Sequence, residues 1–144
     1  MPPATNPRAE RLRTTLRYLL AAAYLAAGII HLYTPAPFVA ITPAWVPHPR
    51  EVVLTTGLCE IAGALGLLTP RLRRLAGIML ALYAVCVFPA NIEHALDYIE
   101  YGRGPLTLWY HVPRLMFQPV IVWWCLFAAR VIDWPFRRRS FAHG

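Results

Sequence analysis

The chain has 144 residues, of which 58% are hydrophobic and only 15% are charged, and its formal net charge is +7. A soluble domain has roughly 25% charged residues, so this chain cannot cover a water-facing surface with polar side chains. Its length allows one compact unit, and its long apolar runs predict an integral membrane protein rather than a soluble one.

Arginine alone carries the positive charge, and its distribution argues against nucleic-acid binding. All fourteen basic residues are arginine, and eleven of them form three clusters beside apolar runs. The clusters are Arg8, Arg11, Arg13 and Arg17; Arg71, Arg73 and Arg74; and Arg130, Arg137, Arg138 and Arg139. A nucleic-acid interface would need a folded polar domain to present it, so we interpret the clusters as a topology signal in contact with lipid head groups.

The first apolar run covers about residues 16–33 and follows a polar segment, residues 1–12, that we expect to be frayed. Because the run approaches the roughly 20 residues of a spanning helix and further runs follow it, we predict a retained membrane helix rather than a cleaved signal peptide. Residues 34–50, which we call the cap loop, contain five prolines that exclude a continuous helix. We expect the cap loop to lie along the membrane interface, with Trp45 at head-group depth.

Three further membrane helices are predicted at about residues 51–68, 75–95 and 114–132. The predicted fold class is therefore all-α: a polytopic membrane protein, residues 1–144 as a single membrane domain, with a four-transmembrane-helix bundle and a proline-rich extracytoplasmic loop after helix 1. Eleven arginines lie on the side of both termini and the 70–74 turn, and three lie on the opposite side. This count predicts a plasma (inner) membrane location with the N-terminus and the C-terminus in the cytoplasm.

Small and polar residues share one face of each predicted helix, which is the face expected to pack inside a membrane bundle. The candidate residues of a polar pocket are the polar members of these faces, with two cap-loop aromatics: His31, Glu60, Asn91, His94, Arg114 and Gln118, with Phe38 and Trp45. All of them fall in the half of the bundle beneath the cap loop, with Glu60 roughly 13 Å deep. This convergence predicts an outward-facing pocket.

Glu60 has two interpretations. An acidic residue near the middle of a membrane costs about 2.5–3.5 kcal/mol on insertion scales, so it marks a functional site by default. Alternatively, Glu60 holds the helices together by bonding His31, Asn91 or a backbone group, while His31 and His94 face water at the helix ends. The protonation states of Glu60 and His31 stay open at this stage.

The three cysteines, Cys59, Cys86 and Cys125, occur singly inside apolar runs. Without a CxxC pair or a metal-ligand spacing, the sequence predicts neither a metal site nor a local dithiol. We expect these thiols to pack as small hydrophobic side chains.

Several spaced motifs, over roughly residues 20–125, resemble the DoxX-like family of small four-helix membrane proteins. The motifs are Gly28-x-x-His31, Pro37-Phe38, Pro43-x-Trp45-x-Pro47-x-Pro49, Gly57-x-x-Glu60, Gly66-Leu67-Leu68-x-Pro70, Arg73-Arg74-x-Ala76-Gly77, Phe88-Pro89-Ala90-Asn91 and Arg114 with Gln118-Pro119. The resemblance implies a four-helix membrane bundle linked to thiosulfate:quinone oxidoreductase, terminal oxidase or thiol redox systems. It also implies that His31, Glu60 and Asn91 form the shared polar core.

We therefore expect a redox-associated membrane subunit, linked to a quinone or thiol oxidoreductase, whose pocket holds a quinone-like or other small apolar molecule. A quinone-linked role requires the pocket to bind the quinone head group, or a partner oxidoreductase subunit to carry the electrons. The alternative is a non-catalytic accessory or assembly protein whose polar cluster is structural. A small transporter is disfavoured, because the sequence has neither an inverted repeat nor a polar stripe reaching the cytoplasmic half.

Overall fold

The computed structural model describes residues 7–102 and 108–136 of the chain. The helices in these ranges are α1 (Pro7–Tyr33), α2 (Ala36–Ala40), α3 (Pro49–Leu68), α4 (Arg73–Tyr101) and α5 (Leu108–Ala128). Turns connect them, and the described ranges contain no strand. The predicted all-α class is therefore confirmed.

The four long helices pack around a common interior. α1 contacts α3 and α5, and α4 contacts the same two helices, so the order α1–α3–α4–α5 closes into a ring. The short helix α2 packs against α3. We call the end that carries α2 and the cap loop the cap end, and the end where α1 and α4 begin the arginine end.

Of the described helices, α1, α3 and α4 are long and apolar enough to cross a membrane. The 21 residues of α5 include two prolines, Pro113 and Pro119, and the polar residues His111, Arg114 and Gln118. The side chains of His111 and Gln118 are buried, since these residues are only 2% and 6% exposed. Polar residues that lower the hydropathy of α5 therefore lie inside the bundle.

At the arginine end, ion pairs fasten the segment that follows α5 to the start of α1. Arg13 Nη2 lies 2.8 Å from Asp133 Oδ1, and Arg13 Nη1 lies 3.3 Å from Glu10 Oε1. Arg130 also pairs with Glu10, and the Arg13 guanidinium lies 4.6 Å from the centroid of the Phe127 ring. We call Glu10, Arg13, Arg130 and Asp133 the terminal clamp.

The terminal clamp explains why α1 starts earlier than predicted. The helix begins at Pro7 rather than near residue 16, so the expectation of a frayed segment through residue 12 is wrong from Pro7 onwards. Glu10 is held by Arg13 and Arg130, and these pairs order the polar first turns. The preceding residues, 1–6, lie outside the described residues.

The last helix is shifted relative to its predicted range, 114–132. α5 covers Leu108–Ala128 and continues through Pro113, where the sequence predicted its start. It ends before Arg130, whose backbone has a left-handed φ of 61° that an α-helix does not allow. The starts of α3 and α4 lie within two residues of their predicted positions, a difference that falls inside the usual uncertainty of helix ends.

Candidate functional site

A cavity of about 750 Å³ lies in the cap half of the bundle, between the four long helices and the cap loop. Small-molecule sites typically have volumes of roughly 300–1,000 Å³ and predominantly apolar walls with a few polar groups. Apolar side chains supply most of this wall. The polar side chains that line it from the long helices are Tyr24, His31, Thr56, Glu60, Tyr83, Asn91, His94, Tyr110, Arg114, Gln118 and Trp124.

Glu60 is the centre of what we call the deep cluster, formed by His31, Glu60 and Tyr83. Glu60 is only 4% exposed, and the Tyr83 hydroxyl donates to its Oε1 at 2.9 Å. Its Oε2 lies 2.8 Å from Nδ1 of His31. One carboxyl group thus contacts both neighbouring helices, α1 and α4, from its position on α3.

The two oxygens of Glu60 differ in how well they are bonded. His31 Nδ1 also lies 2.9 Å from the carbonyl oxygen of Ala27, one turn earlier on α1. Glu60 Oε2 is close to the imidazole but has no hydrogen bond of acceptable geometry within the described residues. Buried polar atoms in proteins are almost always hydrogen-bonded. The His31 imidazole, 2.8 Å away, is the described polar group nearest to Oε2.

Two glycines bring the deep cluster together. A Cβ atom on Gly28 would lie 2.6 Å from the carbonyl oxygen of Gly57, and one on Gly57 would lie 3.0 Å from the carbonyl oxygen of Gly28. The first distance is shorter than real Cβ contacts and the second is tight, so a glycine at position 28 lets α1 and α3 approach this closely. His31 and Glu60 each follow one of these glycines by three residues, which is about one helical turn. The backbone contact therefore places their side chains face to face.

A second polar group, which we call the mouth cluster, joins α4 to α5 and consists of Asn91, His94, Arg114 and Gln118. Arg114 Nη2 donates to Asn91 Oδ1 at 2.6 Å, and Nη1 lies 3.3 Å from Nδ1 of His94. Because a guanidinium only donates, His94 Nδ1 must accept here, which makes the ring neutral with its proton on Nε2. Asn91 Nδ2 in turn donates to Gln118 Oε1 at 3.4 Å, and Gln118 Nε2 donates to the carbonyl oxygen of Ala84.

The cap loop covers the cavity with aromatic side chains. The Phe38 ring packs on the His31 ring at a centroid distance of 3.9 Å. Trp45 Nε1 donates to Glu93 Oε2 at 2.5 Å, which fastens the loop to α4. Both Phe38 and Trp45 line the cavity, although Trp45 is itself 63% exposed.

All eight candidate residues that the sequence suggested line this one cavity: His31, Phe38, Trp45, Glu60, Asn91, His94, Arg114 and Gln118. The structure separates the polar six into two clusters, with His31 and Glu60 in the deep cluster and the other four in the mouth cluster. Glu60 bonds Tyr83, and Asn91 bonds Arg114 and Gln118. That the cavity binds a ligand stays a prediction.

Sequence reasoning missed Tyr83 and His111. Tyr83 lies eight residues before Asn91 on α4, which is just over two turns, so the helical spacing could have placed it on the inner face. His111 is buried, and its ring packs edge-on against the ring of His94 at a centroid distance of 4.7 Å. It precedes the predicted start of the last helix, so no helical face could be assigned to it.

None of the three cysteines, all of which lie in the described residues, forms a disulfide. Cys59 and Cys86 are exposed and Cys125 is buried, and all three are free. The Cys125 sulfur lies 3.7 Å from the Tyr24 hydroxyl. No group of three or more His, Cys, Asp or Glu side chains in the described ranges could hold a metal ion.

Comparison with protein families gives one match, to a model described as a domain of unknown function, DUF8561, over residues 20–129. The chain belongs to this family. A search of the curated proteins found no match, and neither did a search of the solved structures. The DUF8561 region contains every residue that lines the cavity, from Leu20 to Trp124, whereas the four residues of the terminal clamp lie outside it.

Proposed function

We propose that this DUF8561 protein is a four-span membrane protein whose cavity opens towards the extracytoplasmic side and binds a small, mostly apolar molecule. The fourth crossing is α5. Its buried His111 and Gln118 face the bundle, while large apolar residues such as Met116 and Val120 are exposed towards the lipid. The arginine end carries most of the positive charge, so the positive-inside rule puts it, with both termini, in the cytoplasm.

The observation that carries the proposal is the carboxyl group of Glu60, a residue that is only 4% exposed and lines a largely apolar cavity. A polar group of a ligand can form a hydrogen bond with this carboxyl group, and a hydrogen bond to a charged group contributes about 1.5–3 kcal/mol. A carboxylate accepts a bond from a hydroxyl, and a carboxylic acid donates one to a carbonyl. A quinone head group offers the carbonyl in its oxidised form and the hydroxyl in its reduced form, so it matches Glu60 in either protonation state.

A redox role rests on the resemblance to DoxX-like proteins, since DUF8561 carries no assigned function. In that role the protein is a subunit that holds a quinone beside a membrane oxidoreductase. The partner subunit supplies the electrons, and this chain supplies the binding cavity. His31 and Glu60 exchange hydrogen bonds or protons with the head group, and Asn91 helps to orient it.

Titration of the purified protein with a short-chain quinone analogue in mild detergent tests the proposal. Glu60→Gln and His31→Ala should each weaken binding clearly. Glu51→Gln is the matched control, because Glu51 is an exposed carboxylate on the same helix and lies outside the cavity wall. Equal binding by the wild type, Glu60→Gln and His31→Ala would contradict the proposal.

The second candidate function is a non-catalytic accessory or assembly protein, favoured by the same carboxyl group's contacts to two helices. Tyr83 on α4 and His31 on α1 both contact Glu60, so the cluster also holds α1, α3 and α4 together. This function predicts that Glu60→Gln lowers thermal stability and abundance while leaving any quinone response unchanged. Measuring the melting temperature beside the titration separates the two functions.

A further inference from the structure

Arg114 brings a permanent positive charge into the cavity wall. Its guanidinium does not deprotonate in proteins, so burial cannot remove the charge. None of the ion pairs among the described residues includes Arg114, so no described carboxylate lies within 4.0 Å of it. The carboxylate of Glu93, on the neighbouring stretch of α4, accepts from Trp45 instead. No described acid therefore pairs with this charge.

The neighbours of Arg114 hold it in place without neutralising it. Asn91 and the neutral His94 accept from its two terminal nitrogens, and the guanidinium carbon lies 5.7 Å from the centroid of the Tyr110 ring. A guanidinium has five N–H groups, and these contacts use two of them. Asn91 is itself fixed by Gln118, so the guanidinium is positioned before any ligand arrives.

We propose that Arg114 forms an oxyanion subsite in the mouth cluster, so that the ligand is an apolar molecule that carries a carboxylate or phosphate group. The guanidinium fork matches both oxyanions through paired N–H···O bonds, and such charge-assisted bonds are roughly twice as strong as neutral ones. The inference rests on the proposed function, because it presupposes that the cavity binds a small molecule.

The separation of the two polar clusters sets the shape of that molecule. Tyr83 of the deep cluster and Asn91 of the mouth cluster are eight residues apart on α4, which is roughly 12 Å along the helix at 1.5 Å per residue. Apolar residues of the wall, including Val87, Phe117 and Ile121, line the cavity as well. A neutral quinone ring would leave the charge of Arg114 without a counter-ion. An amphiphile with an oxyanion at Arg114 and an apolar body along this wall uses both the charge and the apolar wall.

The test compares three probes of equal chain length: dodecanoate, its methyl ester and dodecyl phosphate. Binding to the purified protein, in nanodiscs of uncharged lipid at alkaline pH, is followed by tryptophan fluorescence, because Trp45 and Trp124 line the cavity. We expect the wild type to bind dodecanoate at least tenfold more tightly than the ester, the difference that one charge-assisted bond provides. The dodecyl phosphate arm shows which oxyanion the subsite prefers.

Three variants test whether the Arg114 side chain causes the preference for dodecanoate over its methyl ester. Arg114→Gln should bind dodecanoate and ester equally, and Arg114→Lys should keep part of the preference, because it keeps the charge without the fork. Arg50→Gln is the matched control, since Arg50 is an exposed arginine at the same end of the bundle and lies outside the cavity wall; it should behave as the wild type.

The inference is overturned if the wild type binds the ester as tightly as dodecanoate, or if Arg114→Gln keeps the preference. The wild-type comparison requires no variant to fold. Loss of the preference in Arg50→Gln would also overturn it, because surface charge would then explain the result. The proposed function survives these outcomes provided that the quinone analogue still binds in a Glu60-dependent way, so the two failures are distinguishable.

Discussion

Arg13 at the arginine end and Arg114 at the cap end have opposite kinds of partner. At the arginine end, Arg13 is only 5% exposed and is paired with Asp133 and Glu10. At the cap end, Arg114 lines a cavity, and its described partners include Asn91 but no carboxylate. An arginine that is paired with acids stabilises the fold at that end. An arginine whose partners are neutral keeps its attraction for a negatively charged ligand group.

The range of the family match separates the cavity residues from the terminal clamp. DUF8561 covers residues 20–129, which include the deep cluster, the mouth cluster and the cap loop. The terminal clamp lies outside that range on both sides. We therefore expect substitutions in the clamp to change stability alone, and substitutions around the cavity to change binding as well.

The largest effect should come from Gly28→Ala, which forces apart the backbones that position the deep cluster. The new Cβ would lie 2.6 Å from the Gly57 carbonyl oxygen, and overpacking of this kind costs about 3 kcal/mol. Both the melting temperature and quinone-analogue binding should fall. Gly63→Ala is the comparison, because its Cβ would meet the buried side chain of Leu80 rather than backbone, so this variant should melt above Gly28→Ala. If the two variants melt alike, backbone contact does not limit the approach of the helices.

The next largest effect on stability should come from Arg13→Gln, which tests the ion pairs of the terminal clamp. Removing one partner of a fully buried ion pair costs roughly 3–5 kcal/mol, but the Asp133 side chain is 71% exposed, so we expect about 2 kcal/mol here. Binding of the quinone analogue should not change. Arg11→Gln, at an exposed position of the same helix, should leave the melting temperature unchanged.

Arg114→Gln removes the corresponding positive charge at the cap end and is compared with Arg13→Gln. Its partners Asn91 and His94 line the cavity, where water can replace the lost bonds, so the melting temperature should fall less than in Arg13→Gln. A larger fall in Arg114→Gln would show that the mouth cluster is structural, and the contrast between the two ends would then disappear.

Helical spacing predicted much of the site, because it depends only on the local geometry of one helix. Gly57 and Glu60 share a face of α3 whatever the neighbours are, and a buried carboxyl group in an apolar run then needs polar partners. Which partners it finds depends on helix register across the bundle. For that reason the sequence offered His31 and Asn91 for Glu60, and the structure pairs it with His31 and Tyr83.

Contacts between the chain ends were beyond sequence reasoning. Arg13 and Asp133 are 120 residues apart, and arginines flanking a membrane helix are usually explained by topology alone. The last helix was predicted to begin at about residue 114, but it begins at Leu108. It runs through Pro113, which cannot donate one backbone hydrogen bond.

A smaller effect is expected from Tyr83→Phe, which leaves the deep cluster intact except for one hydroxyl. The bond from Tyr83 to Glu60 Oε1 is lost, and a typical intramolecular hydrogen bond contributes about 1 kcal/mol. The melting temperature should fall slightly, and less than in Arg13→Gln. Tyr18→Phe, at a 61% exposed position on α1, is the control. An unchanged melting temperature in Tyr83→Phe would mean that Glu60 does not hold α4 in place.

The smallest effect on stability should come from Trp45→Phe, and it isolates what the cap loop does. The bond from Trp45 Nε1 to Glu93 is exposed, so its loss should change the free energy of unfolding by less than about 0.5 kcal/mol. The loop nevertheless lies over the cavity, and a loop released from α4 should let a bound quinone analogue dissociate several-fold faster. Trp109→Phe is the control, since Trp109 is 90% exposed and lies outside the cavity wall. Equal dissociation rates in the two variants would show that the cap loop does not retain the ligand, and that the mouth and deep clusters alone set its residence time.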